Sequence, residues 1–250
     1  MRWVYLSPHF DDVVLSCGGL VWEQAQMGQA VEAWTICAGS PPRGEQLSPL
    51  VQQLHERWET GAAAVAARLA EDQAAFRTLN VDTRYWDLPD CIYRRIPGDG
   101  GAWLANGGDD LWLPVHPKEM ILVDRLCEWL ASSLVASDQV VSPLTLGNHV
   151  DHRLTRLAAE RAASQVGFSL WYYPDYPYAV QPSTSLAEKT GANWRAEHLP
   201  VSQAGLKAWQ QAVLCYQSQL SSFWSSQNEM EAALDAYWQA GGGATLWRAS

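Results

Sequence analysis

The sequence predicts an α/β fold: a single three-layer, Rossmann-like domain over residues 1–250, with a mostly parallel sheet and helices on both of its faces. Two patterns predict it. Short apolar runs of strand length alternate with longer stretches of helical period, which is the order that builds strand–helix–strand units. No linker, internal repeat or break in composition divides the chain. With 48% of 250 residues hydrophobic and 18% charged, there is enough apolar material for one large core.

The elements follow in order. WVYLS (3–7) reads as a buried strand and VVLSCGGLVWEQAQMG (13–28) as the next helix, with Gly18 and Gly19 inside it for close packing. VEAWTICAG (31–39) is a second strand, stopped by GSPPRG. Residues 49–79 have helical period, and DTRYWDLPD (82–90) is strand then turn. Residues 91–117, rich in Gly, Pro and Asp, form a long loop of the kind that tends to be functional. A helix over 118–136, a strand over 139–147, a helix over 151–165 and a strand over 168–174 come next. Two helical stretches follow residue 200.

Composition removes several classes of function. A net charge of −10 repels a phosphate backbone, so no nucleic acid is expected. No run of 18 apolar residues is present, so no membrane helix is expected, nor does the start read as a signal peptide. Five scattered cysteines (17, 37, 91, 127, 215) without a C-x-x-C suit free thiols in a reducing compartment, and the expected location is cytoplasmic. A dinucleotide site would want a Gly-rich loop after the first strand, where this chain has His and Asp instead. No Cys adjoins a His along the chain, which disfavours a thiol nucleophile.

In parallel sheets ligands bind outside the carboxyl ends of the strands. Three predicted strand ends carry polar residues there: His9-Phe10-Asp11-Asp12, Asp90, and Asn148-His149-Val150-Asp151-His152. Each patch alone has a structural reading. Asp11 or Asp12 would cap the helix from 13, and Asp151 would complement the dipole of the helix it opens. Taken together, three of the six histidines, each beside an Asp and on strand ends of one sheet, suit a divalent cation such as Zn²⁺ or Fe²⁺. Two histidines and a carboxylate leave a position open for water, and the surplus Asp and His are left for proton transfer. His55, His116 and His198 read as solvated or structural. The aromatics of YWDLPDCIYRR and WYYPDYPY read as core or lid packing before substrate platforms.

PHFDDVVLSCGG (8–19) resembles the P-H-P-D-D-E-x-L-x-x-G-G signature of the PIG-L / LmbE-like metal-dependent N-deacetylases, and LGNHVDHRLT (146–155) resembles that family's G-x-x-x-H-x-D-H block. RLAEDQAAFRTLNV, WDLPD, WYYPDYPYA and CYQSQL resemble further segments, so the likeness spans most of the chain. The resemblance implies His9, Asp12 and His152 as ligands of Zn²⁺, Fe²⁺ or another divalent metal, and Asp11 as general base. It implies His149, in its protonated form, at the oxyanion and leaving amine, with Asp151 supporting it. Ser16, Arg68 and Asp90 match substrate-contacting positions. The implied activity is hydrolysis of a linear amide, with an N-acetylated sugar such as an N-acetylglucosamine conjugate as the small-molecule partner. Self-association into a homo-oligomer is left open. An amidase for a thiol or other non-sugar conjugate and a non-catalytic sugar-binding domain are the alternatives. Three positions depart from the pattern: Phe10 replaces the second Pro and Val13 the Glu of the first block, and Gly147 stands where some members carry a Tyr that assists the oxyanion.

Overall fold

The computed structural model describes residues 1–249 apart from 42, 43, 45, 46, 59, 60, 183, 184, 191 and 192. Its frame is a seven-stranded sheet of order β3-β2-β1-β4-β5-β7-β6. The strands are β1 (Arg2–Ser7), β2 (Ala30–Thr35), β3 (Asp82–Tyr85), β4 (Gln139–Pro143), β5 (Ser169–Tyr173), β6 (Trp194–His198) and β7 (Thr245–Ala249). The first five are parallel, while β7 runs antiparallel to both β5 and β6. Helices α1 (Asp12–Gln26), α2 (Pro49–Arg57), α3 (Ala64–Leu79), α4 (Met120–Ser133), α5 (Val150–Val166), α6 (Leu186–Lys189), α7 (Gln203–Val213), α8 (Gln217–Phe223) and α9 (Gln227–Gln239) complete it. Among the described residues no helix is long and apolar enough to cross a membrane.

The parallel strands are apolar because both sheet faces are covered. Residues 3–7 of β1 are all buried. Trp3, Tyr5 and Val141 face a core with α1, α3 and α7; Val4, Leu6 and Val140 face a second core with α4 and α5. Strand order reverses beside β1, which has β2 on one side and β4 on the other. The loops leaving β1 and β4 therefore part to opposite faces and open a crevice between them, where such sheets bind ligands.

Several boundaries differ from the sequence reading. The single helix expected over 49–79 is divided into α2, a 3₁₀ turn at Gly61–Ala63, and α3, because Gly61 adopts a left-handed φ of 51° that an α-helix cannot pass. Within the strand-then-turn expected over 82–90, the strand leaves the ladder after Tyr85, and isolated bridges pair Asp87 with Cys37 and Pro89 with Gly39. The tail holds three helices instead of two, plus the unforeseen strands β6 and β7, whose short runs carry Trp and Arg without clean alternation. The long loop over 91–117 contains 3₁₀ turns at Cys91–Tyr93 and Gly108–Trp112.

Helix α1 is kinked at Cys17 (φ −153°), and just before the kink the Val14 carbonyl accepts the indole N–H of Trp209. A side chain inserted into the helical ladder is a usual cause of such a bend. Small residues then let α7 approach. A Cβ at Gly18 would sit 2.7 Å from the Trp209 ring, and one at Gly19 2.7 Å from Val201. Trp209 is fully buried and cannot swing aside. Gly18→Ala is therefore expected to destabilise the fold by about 1–3 kcal/mol through overpacking, read as a lower urea midpoint at unchanged slope.

Candidate metal centre and reaction cleft

The turn after β1 is strained and braced. Asp11 has φ 101°, a left-handed backbone that costs a non-glycine residue roughly 1–3 kcal/mol. Ser7 Oγ donates to the His9 carbonyl (2.7 Å) and accepts from Val13 N (3.2 Å). The Asp12 carboxylate accepts from His9 N at 2.7 Å, the Asp11 backbone N–H bonds the buried Asp72 carboxylate, and Arg68 donates to the Phe10 carbonyl at 3.2 Å. Val13, which replaces the Glu of the resembled signature, is buried in the core, so Ser7 and Asp72 brace this turn.

The sequence places His9 after β1 and His149 and His152 after β4, and the structure brings all three together. One nitrogen from each lies within 4.8 Å of the others. Asp12 bridges two of them, with one oxygen 3.2 Å from His9 Nδ1 and the other 3.3 Å from His152 Nε2. The remaining nitrogens are held from behind: His9 Nε2 meets Asp151 at 3.0 Å and His152 Nδ1 meets Asp175 at 2.6 Å. A carboxylate behind an imidazole fixes an N–H on that side and aims the opposite lone pair forward. Donor atoms about 2 Å from one tetrahedral ion lie about 3.4 Å apart, so His9 Nδ1, His152 Nε2 and Asp12 fit a divalent cation. His149 does not join them as a neutral ligand. Its Nδ1 accepts Asp151 N at 3.3 Å, so Nε2 carries the proton and is a donor.

Electrostatics separates the two adjacent aspartates. Burial raises a carboxylate pKa, yet at Asp12 the facing His152 and His9 outweigh it and hold the pKa well below the usual range. At Asp11 burial wins over Arg68, with Asp12 adding to it, and the pKa is raised to about 8. Burial opposes charge on His9 and His152 too, but Asp90, Asp12 and Asp151 hold the first well above 6.5, while Asp12 and Asp175 raise the second to about 9. The carboxylates that retain protons on these rings are the groups that would favour a divalent cation in their place. His149 is lowered to about 3, by burial and then by its two neighbouring imidazoles, and is neutral.

Asp151 lies elsewhere than expected. Its carboxylate serves His9, Cys91 N (2.9 Å) and Arg94 (2.6 Å), while only its backbone N–H meets the His149 ring. Arg94 also pairs with Glu119 at 2.7 Å, closing a buried network behind His9. Asp90 caps Ile92 N and stands 3.7 Å from His9 Nε2 and 4.0 Å from Arg68. Arg68 lies 3.8 Å from Asp11 and over the Trp58 ring, and its Nε has no partner among the described residues. Ser16 is fully buried, with its hydroxyl accepting Tyr176 N at 3.1 Å. Cys91 Sγ comes within 4.0 Å of His149 Nε2, a neighbour that the chain order did not suggest. Burial, then Asp151, pushes that thiol well above 9, so it is no thiolate nucleophile.

His9, Asp12 and His152 open into a cavity of about 370 Å³, whose lining also includes Asp11, Arg68, Asp90 and His149. Trp58, Trp112, Tyr178 and Phe223 contribute aromatic walls. A second cavity, also about 370 Å³ and lined by Asn148, Gln181, Ser185, Glu188 and Lys189, adjoins it across Trp112 and Tyr178. The sequence reading did not single out Asp175, Tyr178, Trp112, Arg94 or Glu119 for the site. Asp175 had a findable signal, since it follows β5 as His9 follows β1.

Fold and site together define an α/β protein with a buried cluster of three histidines and adjacent aspartates, able to hold a cation, at the carboxyl end of its parallel strands. The GlcNAc-PI de-N-acetylase (PIG-L) family matches residues 4–163, and the chain belongs to that family. It is 30% identical over 243 residues to the 2'-N-acetylparomamine deacetylase of Niallia circulans, covering 90% of this chain and 83% of that one. The deacetylase of that name from Streptomyces fradiae is 29% identical over 76% of this chain and 62% of its own length. The zinc-inhibited form of teicoplanin deacetylase Orf2 superposes with a TM-score of 0.80 at 28% identity, over 99% of this chain and 97% of that one. These relatives are deacetylases, and the chain is an enzyme of that amide-hydrolysing class.

Asp175→Asn is expected to weaken divalent-metal affinity roughly 10- to 100-fold by releasing the His152 ring, measured by competition with a chromogenic chelator. In metal-free protein Asp11 binds its proton more tightly folded than unfolded. Its contribution to stability is thus full below pH ~4 and is lost as pH rises towards 8. Urea unfolding across that window is expected to show a shallower decline for Asp11→Asn than for wild type.

Proposed function

We propose that the chain, acting as one domain over residues 1–250, hydrolyses the amide of an N-acetylated sugar or sugar conjugate to acetate and a free amine. His9, Asp12 and His152 hold the divalent cation, Zn²⁺, Fe²⁺ or another first-row ion. The observation that carries this reading is the pair of imidazoles, each clamped from behind and each presenting its other nitrogen to Asp12. When bound, the cation polarises the amide carbonyl and lowers the pKa of water towards ~7.

Asp11 is the base. It lies on the cleft beside Asp12 but outside the ligand set, and its raised pKa suits proton transfer near neutral pH. It takes a proton from the attacking water and returns it to the nitrogen as the C–N bond breaks. His149 is a neutral imidazole whose Nε2–H, with only the weak acceptor Cys91 Sγ at 4.0 Å, donates to the carbonyl oxygen as negative charge develops there. This departs from the imidazolium that the resemblance implies: three clustered imidazoles in a buried site disfavour a third positive charge. Asp90 and Arg68 line the cleft as substrate contacts. Ser16 is fully buried and outside the cleft lining, where its hydroxyl holds the Tyr176 backbone N–H.

The substrate class follows from the cleft and the relatives. Trp58, Trp112 and Tyr178 offer flat faces to a sugar ring, and the polar second cavity extends the space beyond a single ring. The similar proteins are named for an N-acetylated paromamine and for teicoplanin, which favours an acetamido sugar carried on a larger body over a thiol conjugate. All five cysteines are free, in keeping with a cytoplasmic site of action.

Amine release from a panel of N-acetyl sugars, with and without chelator and after reloading with single metals, tests the reading. Activity is expected only in metal-loaded protein. Asp11→Asn is expected to lose roughly 10²- to 10⁴-fold in kcat while retaining metal, and Asp12→Ala to lose the metal itself. Equal metal loss in both variants contradicts this division of roles.

A further inference from the structure

Gly147 lacks the side chain that some family members use at the oxyanion, and the structure shows what occupies that space. The Tyr178 ring lies flat against Gly147, where a Cβ would come within 2.5 Å of three of its ring carbons. A side chain at 147 and the ring of Tyr178 therefore exclude each other. The ring enters from a 3₁₀ turn (Tyr178–Val180) beyond β5, on a different element from the second histidine block. That turn is anchored to the ligand set. Asp175 receives Ala179 N on its backbone carbonyl (2.8 Å), while its carboxylate holds His152 and Leu146 N. Tyr178 shares the reaction cleft with Asp11, Asp12 and His152 and packs edge-on to the His152 ring at 6.4 Å. Its hydroxyl has no hydrogen-bond partner among the described residues. A phenol is protonated and a donor at neutral pH, and burial raises the pKa of this one further.

The geometry points to Tyr178 as a catalytic residue that donates its phenolic O–H to the oxygen of the acetamide carbonyl as that oxygen becomes negative, in place of the side chain missing at Gly147. The bond is a hydrogen bond only, and no proton leaves the tyrosine. This rests on the deacetylase reading above. Loss of one oxyanion donor elsewhere costs roughly 10²- to 10³-fold in kcat, which sets the scale here.

The test compares wild type, Tyr178→Phe and Tyr178→Ala in kcat and KM for amine release, with metal content and thermal unfolding measured in parallel. A second readout is the affinity for a methylphosphonamidate of glucosamine, a tetrahedral anion resembling the transition state. Tyr178→Phe is expected to keep its metal and its melting temperature, to lose about 10²-fold in kcat with KM within threefold, and to lose phosphonamidate affinity by a similar factor. Retention of kcat within threefold in Tyr178→Phe overturns the proposal. If Tyr178→Ala alone is impaired, the ring only packs, and the proposal is likewise overturned. A wild type that is inactive on every N-acetyl sugar and does not bind the phosphonamidate instead overturns the deacetylase reading, and this inference with it.

Discussion

The structure depends on one shared carboxylate. Asp12 sits between His9 and His152, which reach it from loops about 140 residues apart, and both rings are pressed towards it by carboxylates behind them. Without a cation, this places Asp12, Asp151 and Asp175 in one buried region, where charge is costly. The cost is offset by protons held on the imidazoles, by Arg94 against Asp151, and by backbone N–H groups. A divalent ion held here would take the place of those protons on the imidazoles.

The strain at Asp11 belongs to the same construction. Two successive aspartates cannot aim at one ion from a relaxed turn, and the left-handed φ of Asp11 separates its carboxylate from that of Asp12. Their electrostatics then diverge: Asp12 faces imidazoles and stays ionised, while Asp11 is dominated by burial and binds a proton readily. Two neighbouring groups of one residue type thus acquire opposite proton affinities from their surroundings. Asp72, Ser7 and Arg68 hold the turn in this form.

Much of this was legible in the chain. The strand-end positions of His9 and His152 came from apolar runs that stop abruptly at polar residues, and parallel topology carries such ends to one rim. The layered core, the Gly18-Gly19 packing and the long loop over 91–117 followed from the same patterns. Other features were hidden because they are made by tertiary contact. Arg94 and Glu119 are ordinary charges in sequence and become a buried brace only once the 91–117 loop folds over Asp151. Nothing in HVDH indicates that the Asp151 carboxylate turns to His9 while its backbone N–H donates to His149 Nδ1. Tyr178 stood in an aromatic-rich segment that composition assigned to core or lid packing before substrate platforms. Strands β6 and β7 lack the buried, β-branched runs of the parallel strands, and register with each other is what defines them.

The central claim is that one cation is held by His9, Asp12 and His152 and not by His149. Anomalous diffraction from metal-loaded crystals, collected on both sides of the absorption edge of the loaded metal, addresses it most directly. The account predicts a single peak about 2 Å from His9 Nδ1, His152 Nε2 and an Asp12 oxygen, with His149 unliganded. A peak bonded to His149 in place of Asp12, or no peak between the two loops, would contradict it.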